Sequence, residues 1–428
     1  MSTVTDTPVF LLNPEQLDAT DSIMQWLREG DSPFFLLSGS AGTGKTYSLQ
    51  ALIPQIKGRV IFTAPTNKAV RVLRRMLTSP DYKPECRTIY SLLGLRLEAN
   101  GEVKELAAPE DPVDLTQYRL VVVDEGSMVN RQVFSFIQRT AKEFGVKFLF
   151  MGDAAQLPPV KEQKSLIWTT PGAELKTVMR YDNQILKLAT SLRDKLHHPA
   201  PNFKPVSDND GQVGIWTVTG PQFQAQLADK ARNGAFQQTD KVKALAWRNV
   251  TVDSLNAFIR SHIFDAEALT SPWLPTDRIT LTGPAADLEG EPMGHTDDEG
   301  SIVRVDVDFH PLYPEYKVHR ISMETDDGRF MTLQVLHPDE ELRFQQHKAR
   351  LAAEAKIERR RWRNFWDLVE AFHQVRHAYA GTVHRAQGST YENVFVDWRD
   401  ILLNRNRTEA IQCLYVAVTR ASQRVIFN

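Results

Sequence analysis

Gly39-Ser40-Ala41-Gly42-Thr43-Gly44-Lys45-Thr46 satisfies the whole of the pattern GxxxxGK[ST]. It follows the apolar run Phe34–Leu37 and opens a helical stretch, which is the context a phosphate-binding loop needs. Glycines there let the backbone wrap a β-phosphate, and the helix N-terminus adds free N–H groups and a positive dipole. Lys45 would neutralise the β- and γ-phosphates, and the Thr46 hydroxyl would ligate Mg²⁺. The phosphate-facing set is Gly39, Ala41, Gly42, Thr43, Gly44, Lys45 and Thr46. Asp124-Glu125 closes a second apolar run, Leu120–Val123. An acid at a strand end beside such a loop holds Mg²⁺ through water, and its neighbour can polarise the attacking water. Asp124 is therefore assigned to the metal and Glu125 to the base. Gln156 follows a third run, Phe148–Met151. It can sense a γ-phosphate, as a neutral donor and acceptor; alone, Gly152-Asp153 before Pro158-Pro159 reads more simply as a turn with a rigid exit.

These residues need a scaffold of parallel strands. Phe34–Leu37, Val60–Phe62, Leu120–Val123 and Phe148–Met151 are short continuous apolar runs, separated by the helical stretches Thr46–Ile56 and Asn67–Leu77. Runs of this kind suit strands buried on both faces, so residues 1–175 read as an α/β unit. Within it, residues 91–115 break the pattern, and Asn100-Gly101 predicts an inserted β-hairpin. A second α/β block opens at 176, includes the strand Val242–Trp247 and pauses near 275. It resumes over 378–428, with the apolar stretches Val394–Val396 and Ala410–Val418. Between them, residues 276–377 hold period-two alternation at Ile302–Phe309, and Tyr316–Met323 facing Phe330–Leu336 across Asp327-Gly328. That predicts a small antiparallel barrel, followed by a long charged helical region containing Arg359–Arg363. The arginine cluster reads best as a solvated helix face flanked by glutamates.

Composition narrows the partners. Lys and Arg number 51 against 53 Asp and Glu, a formal charge of -2, so a basic coat for nucleic acid is excluded but a local groove is not. Two cysteines, Cys86 and Cys413, exclude a disulfide framework and a four-cysteine zinc site. The polar start Met1–Pro8 and the absence of any apolar run near ~20 residues predict a soluble protein with no membrane partner.

Taken in order, the motifs resemble those of superfamily 1 helicases, and the similarity runs down the whole chain. Gln16 resembles the upstream glutamine that reads adenine. Thr63-Ala64-Pro65-Thr66-Asn67-Lys68-Ala69 resembles the motif contacting the single strand, which implies roles for Thr63, Pro65, Thr66 and Asn67. Leu175–Arg180 resembles the segment whose arginine reaches the γ-phosphate, here Arg180. Gly381–Thr390 resembles the penultimate motif, which implies strand contacts from Thr382, His384 and Thr390 and nucleotide contacts from Gln387 and Gly388. Tyr415–Ala421 resembles the last motif and carries the second arginine, Arg420. Within the superfamily the resemblance is to the Dda-type phage helicases and RecD-like enzymes, in length, in Thr88-Ile89-Tyr90-Ser91 before the hairpin, and in Phe365-Trp366 with Asp367-Leu368.

The resemblance implies two RecA-like parallel-sheet domains, a hairpin "pin" in the first and an SH3-like β-barrel in the second. It implies ATP and Mg²⁺ as cofactors, and ATP-driven 5′-to-3′ movement on single-stranded DNA that opens duplexes at single-strand/duplex junctions. It further implies a monomer in the cytoplasm of a bacterium or phage-infected host, with a single-strand-binding or replication protein as a possible partner. Three departures stand out. Tyr90 occupies a strand-contact position where the family usually has His; Leu93–Ala107 has no aromatic; and Gly126 replaces a small side chain, which is expected to matter little. Two other readings fit the motifs: an RNA helicase, because phosphate-gripping residues do not settle the sugar, and a nucleoprotein remodeller that does not unwind.

Overall fold

The computed structural model describes residues 11–79, 82–179, 184–196 and 203–428. Its chain forms two compact units. One takes the chain up to Gly94 and resumes from Ala108 to Ala189; the other comprises Leu95–Ala107 and everything from Thr190 onward.

The first unit is built on a six-stranded parallel sheet. Its order is Glu85–Thr88, Arg59–Ala64, Tyr118–Val123, Lys147–Gly152, Phe34–Gly39 and Gly172–Leu175. The apolar runs form the inner strands, and Leu37, Phe62, Val122 and Phe150 are wholly buried. Because every pairing is parallel, all six strands end at one edge, with Thr63 beside Val123 and Ser38 beside Gly152. Helix Pro14–Glu29 starts with proline in its first turn and a capping box between Asn13 and Gln16. Helix Asn67–Leu77 spans the predicted residues, capped by the Thr66 hydroxyl.

In the second unit a six-stranded sheet runs Ala380–Thr382, Val242–Ala246, Tyr391–Val396, Ala421–Phe427, Gly214–Thr217 and Asp208–Asn209. It is parallel except for the last pair. The apolar stretch Ala410–Val418 lies in a buried helix, Arg407–Thr419. Where the sequence predicts a closed barrel, the structure has a five-stranded antiparallel sheet: Phe330–Leu336, Lys317–Thr325, Glu299–Phe309, Arg278–Leu281 and Val375–His377. No ladder among the described strands closes it. His373 links its two edges: its N–H donates to Gln334 O (2.8 Å) and its Nδ1 accepts from Gln334 N (2.7 Å).

A buried ionic network joins the two sheets of this unit. Lys243 Nζ reaches Glu299 (2.8 Å), Arg278 reaches Asp326 (2.6 Å), and Arg260 reaches Asp277 (3.0 Å), which also accepts from Tyr379 OH (2.6 Å). Burial is the main reason the Tyr379 hydroxyl is pushed far up, with the Asp277 charge adding to it.

The predicted hairpin is present as Arg96–Asn100 paired with Val103–Ala107. Asn100 faces Val103, so the two-residue turn is Gly101-Glu102, one residue later than Asn100-Gly101. Gly101 takes φ 68° and Glu102 does not turn positive, which is the II′ arrangement with glycine first. The hairpin packs with the second unit. Trp366 Nε1 donates to Gly101 O (2.9 Å), Lys104 pairs with Glu370, and Arg359 donates to Asn100 Oδ1 (3.3 Å). The remaining arginines of the cluster pair locally, Arg361 with Glu354 (3.1 Å) and Glu358 (2.6 Å), in keeping with a solvated face.

Candidate nucleotide and single-strand site

The phosphate loop leaves the sheet edge at Gly39 and enters helix Lys45–Leu52. Gly42 and Gly44 have φ of 83° and 84°, conformations that L side chains rarely adopt. At Gly39 an added Cβ would lie 2.6 Å from Thr43 Oγ1 and 2.9 Å from Leu175 O. At its glycines the loop is therefore backbone alone, which lets the chain curl closely enough to wrap a phosphate. Lys45 Nζ lies over it, donating to Gly39 O (2.6 Å) and Ser40 O (3.2 Å). Ala41 and Thr46 are half-buried along the same loop.

Asp124 and Glu125 follow the strand Tyr118–Val123 at the same sheet edge, with Asp124 N bound to Thr63 O (2.8 Å). Asp124 Oδ1 accepts from Glu125 N (2.8 Å), and Glu125 sits in the left-handed region at φ 50°. The backbone at Glu125 is therefore held in a costly conformation, as often happens at functional positions. Gly126 supports it: a Cβ there would stand 2.9 Å from Ile167 Cδ1 and 3.0 Å from Met151 O. The expectation that Gly126 matters little is corrected by this packing. Gln156 is nearly buried just past the end of Lys147–Gly152, in a turn where Gln156 N binds Asp153 O (3.1 Å) and Asp153 Oδ1 accepts from Ala155 N (2.9 Å). The turn reading of that segment holds. The donor set fits the nucleotide and its ion: Thr46 hydroxyl and Asp124 carboxylate are hard oxygen ligands, the class Mg²⁺ takes.

Gln16 is 1% exposed. Its Oε1 accepts from Asn13 N (3.1 Å) and its Nε2 donates to Thr43 O (3.1 Å), so it ties the first helix to the phosphate loop. Sequence reasoning did not find Glu15. Its carboxylate accepts from Lys176 N (3.0 Å) and Thr177 N (2.8 Å), and those backbone bonds, Thr177 foremost, hold it below the usual carboxylate range. Met179 N also binds Gly42 O (3.0 Å). The segment leading to Arg180 is thereby stitched to the loop; Arg180 itself lies outside the described residues.

Of the expected strand contacts in this unit, Pro65, Thr66 and Asn67 lie half-buried at the same edge, and Tyr90 stands in the short helix Ile89–Leu92 with its hydroxyl pushed up by burial. Thr63 is a correction. It is 0% exposed and its hydroxyl donates to Val122 O (2.9 Å), a sheet-internal role that takes it away from any strand.

In the second unit the expected residues cluster around one loop. Thr382 caps the helix Val383–Ala386, Gly388 takes φ 77°, Gln387 is buried and Thr390 half-buried. Arg420, 6% exposed, closes helix Arg407–Thr419, donating to Ser389 O (3.1 Å), Val416 O (3.3 Å) and Thr419 Oγ1 (3.2 Å). Burial pushes the His384 imidazole down, while Glu409 beside it (3.5 Å) pulls the other way.

Two family matches cover these regions: AAA domain over residues 11–206, and UvrD-like helicase C-terminal domain over 377–427. The chain is 25% identical to the ATP-dependent DNA helicase dda of Enterobacteria phage T4, over 97% of this chain and 99% of that one. Together these matches support a superfamily 1B helicase of the Dda/Pif1-like kind. An uncharacterised mimivirus protein, R530, is 23% identical across 97% of this chain and 99% of its own. Among solved structures, Bacteroides Pif1 helicase with ADP-AlF3 and ssDNA shares the fold at TM-score 0.52 and 15% identity, covering 98% of this chain and 92% of that one. A Pif1 structure concerned with unwinding at forked dsDNA aligns at TM-score 0.53 and 16% identity, over 97% and 92%. No helix among the described residues is long and apolar enough to cross a membrane.

Proposed function

We propose that this protein is an ATP-dependent DNA helicase that moves 5′-to-3′ on single-stranded DNA and opens duplexes at single-strand/duplex junctions. The observation that carries the reading is the sheet edge of the first unit. There a glycine-rich phosphate loop and an Asp-Glu pair follow strands that end at the same edge, and the glutamate is fixed by a left-handed backbone. Lys45 would leave its loop carbonyls for the β- and γ-phosphates, and Thr46 with Asp124 would hold Mg²⁺, which neutralises charge on the departing phosphates. Glu125 orients and deprotonates the attacking water. Arg180 and Arg420 are our candidates for the γ-phosphate charge, and an arginine in that role is worth ~10³ or more in rate.

Pro65, Thr66, Asn67, Tyr90, Thr382, His384 and Thr390 are the proposed strand grip, in which hydroxyl and amide groups hold phosphates without reading bases. The hairpin 96–107 would part the duplex with Leu97 or its backbone, because it offers no aromatic. A monomer acting in the cytoplasm of a bacterium or phage-infected host, beside a single-strand-binding or replication protein, is the setting we propose. ATPase rates with oligo-dT and oligo-U, and unwinding of duplexes bearing a 5′ or a 3′ tail, test the reading. Stimulation by dT with unwinding from the 5′ tail alone is expected; unwinding only from the 3′ tail would overturn the direction, and preference for oligo-U would overturn DNA.

A further inference from the structure

We propose that His384, Glu409 and Cys413 form a site for a thiophilic divalent ion such as Zn²⁺. One ligand atom from each lies within 4.8 Å of the other two. Glu409 and Cys413 are four residues apart on helix Arg407–Thr419, hence on one face, and His384 comes from the adjoining helix Val383–Ala386. Nitrogen, oxygen and sulfur donors of this kind suit Zn²⁺, at bond lengths of roughly 2.0–2.3 Å, with a fourth position left to water. The carboxylate and imidazole are about one-third exposed, 32% and 34%, whereas Cys413 is fully buried. An ion can therefore enter past His384 and Glu409 and find the thiol as the floor of the site. On binding, the Zn–S bond replaces the S–H bond, and the proton leaves to solvent with no redox change.

The simpler account is a His–Glu ion pair above a core cysteine, and it leaves Cys413 with no part in metal binding. If the helicase reading is right, the ion also has a consequence, because it would take His384 from the strand grip and tie the helix ending in Arg420 to the 381–390 loop. One equivalent of Zn²⁺ would then slow DNA-stimulated ATP turnover.

Binding itself is tested without activity, by titrating the full-length reduced protein with Co²⁺ and following its absorbance. One equivalent should give a thiolate-to-Co²⁺ charge-transfer band and strong visible bands of low coordination, both bleached by one equivalent of Zn²⁺. Cys413→Ser should lose the charge-transfer band. Glu409→Gln, a change at a partly exposed position, should weaken Zn²⁺ binding at least tenfold with its melting temperature kept, so the test survives if the core variant fails to fold. A missing charge-transfer band in the unaltered protein, its persistence in Cys413→Ser, or unchanged affinity in Glu409→Gln would overturn the site. None of these readouts depends on whether the protein unwinds DNA.

Discussion

Replacing Trp366 with alanine should release the tip of the hairpin and uncouple unwinding from ATP turnover. Two contacts go with the indole: the Nε1 hydrogen bond to Gly101 O at 2.9 Å, and the Lys104 ammonium 5.1 Å from the ring centre. The first contributes about 1 kcal/mol net. The second adds roughly 0.5–1 kcal/mol at a partly exposed site. The Lys104–Glu370 pair stays, but with Glu370 54% exposed it adds little. The loss is therefore about 1.5–2 kcal/mol, a ten- to thirtyfold shift toward the undocked hairpin. Two strands alone are marginally stable in water, so a shift of that size should be felt at the tip.

Hydrogen exchange of the amides in 96–107 reads this directly and should quicken by the same factor. Trp366→Phe, which keeps a ring but loses the donor, should give about a fivefold effect, matching ~1 kcal/mol. Unwinding of a tailed duplex should fall while oligo-dT-stimulated ATPase is retained, since no hairpin residue belongs to the nucleotide site. Unchanged exchange in Trp366→Ala would refute the bracing. Faster exchange with undiminished unwinding would refute the hairpin's part in strand separation.

Four further outcomes are expected. Glu125→Gln should abolish ATP turnover while sparing ATP binding, and unaltered turnover would remove Glu125 as the base. Gly126→Ala puts a methyl against the Met151 carbonyl and Ile167, which should cost about 1–3 kcal/mol and lower kcat by displacing Glu125; normal kcat and melting temperature would show that the loop yields freely. Asp277→Ala strands the buried Arg260 guanidinium and should destabilise the second unit by about 3–5 kcal/mol in urea unfolding, a loss below 1 kcal/mol counting against a tight pair. Burial holds His310, His319, His373 and His377 below the ordinary imidazole range, so the unfolded chain binds more protons just below about pH 6.5; stability is complete above that pH and lost as pH falls through the window, and equal melting temperatures at pH 7.5 and 5.5 would contradict it.

The parallel strands of the first unit are readable from sequence because burial on both faces forces continuous apolar runs. The same signal is ambiguous at Ala410–Val418, since a run buried on all sides looks alike in strand and helix, and there the chain is helical. Asn100-Gly101 marks the hairpin, yet the turn slips to Gly101-Glu102, because a glycine with positive φ serves equally well at the first turn position. Glu15 carries no local signature, and Phe365-Trp366 enters only as a resemblance, with no partner attached to it. Their partners lie 161 and 265 residues away, and only the folded chain brings the Lys176 amide and the Gly101 carbonyl to them.

Hydroxyl accounting separates the threonines that motif resemblance treats alike. A threonine has one proton to donate and two lone pairs. Thr63 spends its proton on Val122 O inside the sheet, and nothing remains at the surface for a phosphate. Thr66 and Thr382 instead accept from the backbone amides of Ala69 and Arg385, as helix caps. A cap of this kind uses a lone pair and keeps the proton, so each hydroxyl can still donate to a phosphate oxygen while its own geometry is fixed by the helix it starts. Of the threonines expected to grip the strand, Thr66 in the first unit and Thr382 in the second are held in this way. A proton held this way reads the backbone of a strand and no base, which is the property that movement along arbitrary sequence demands.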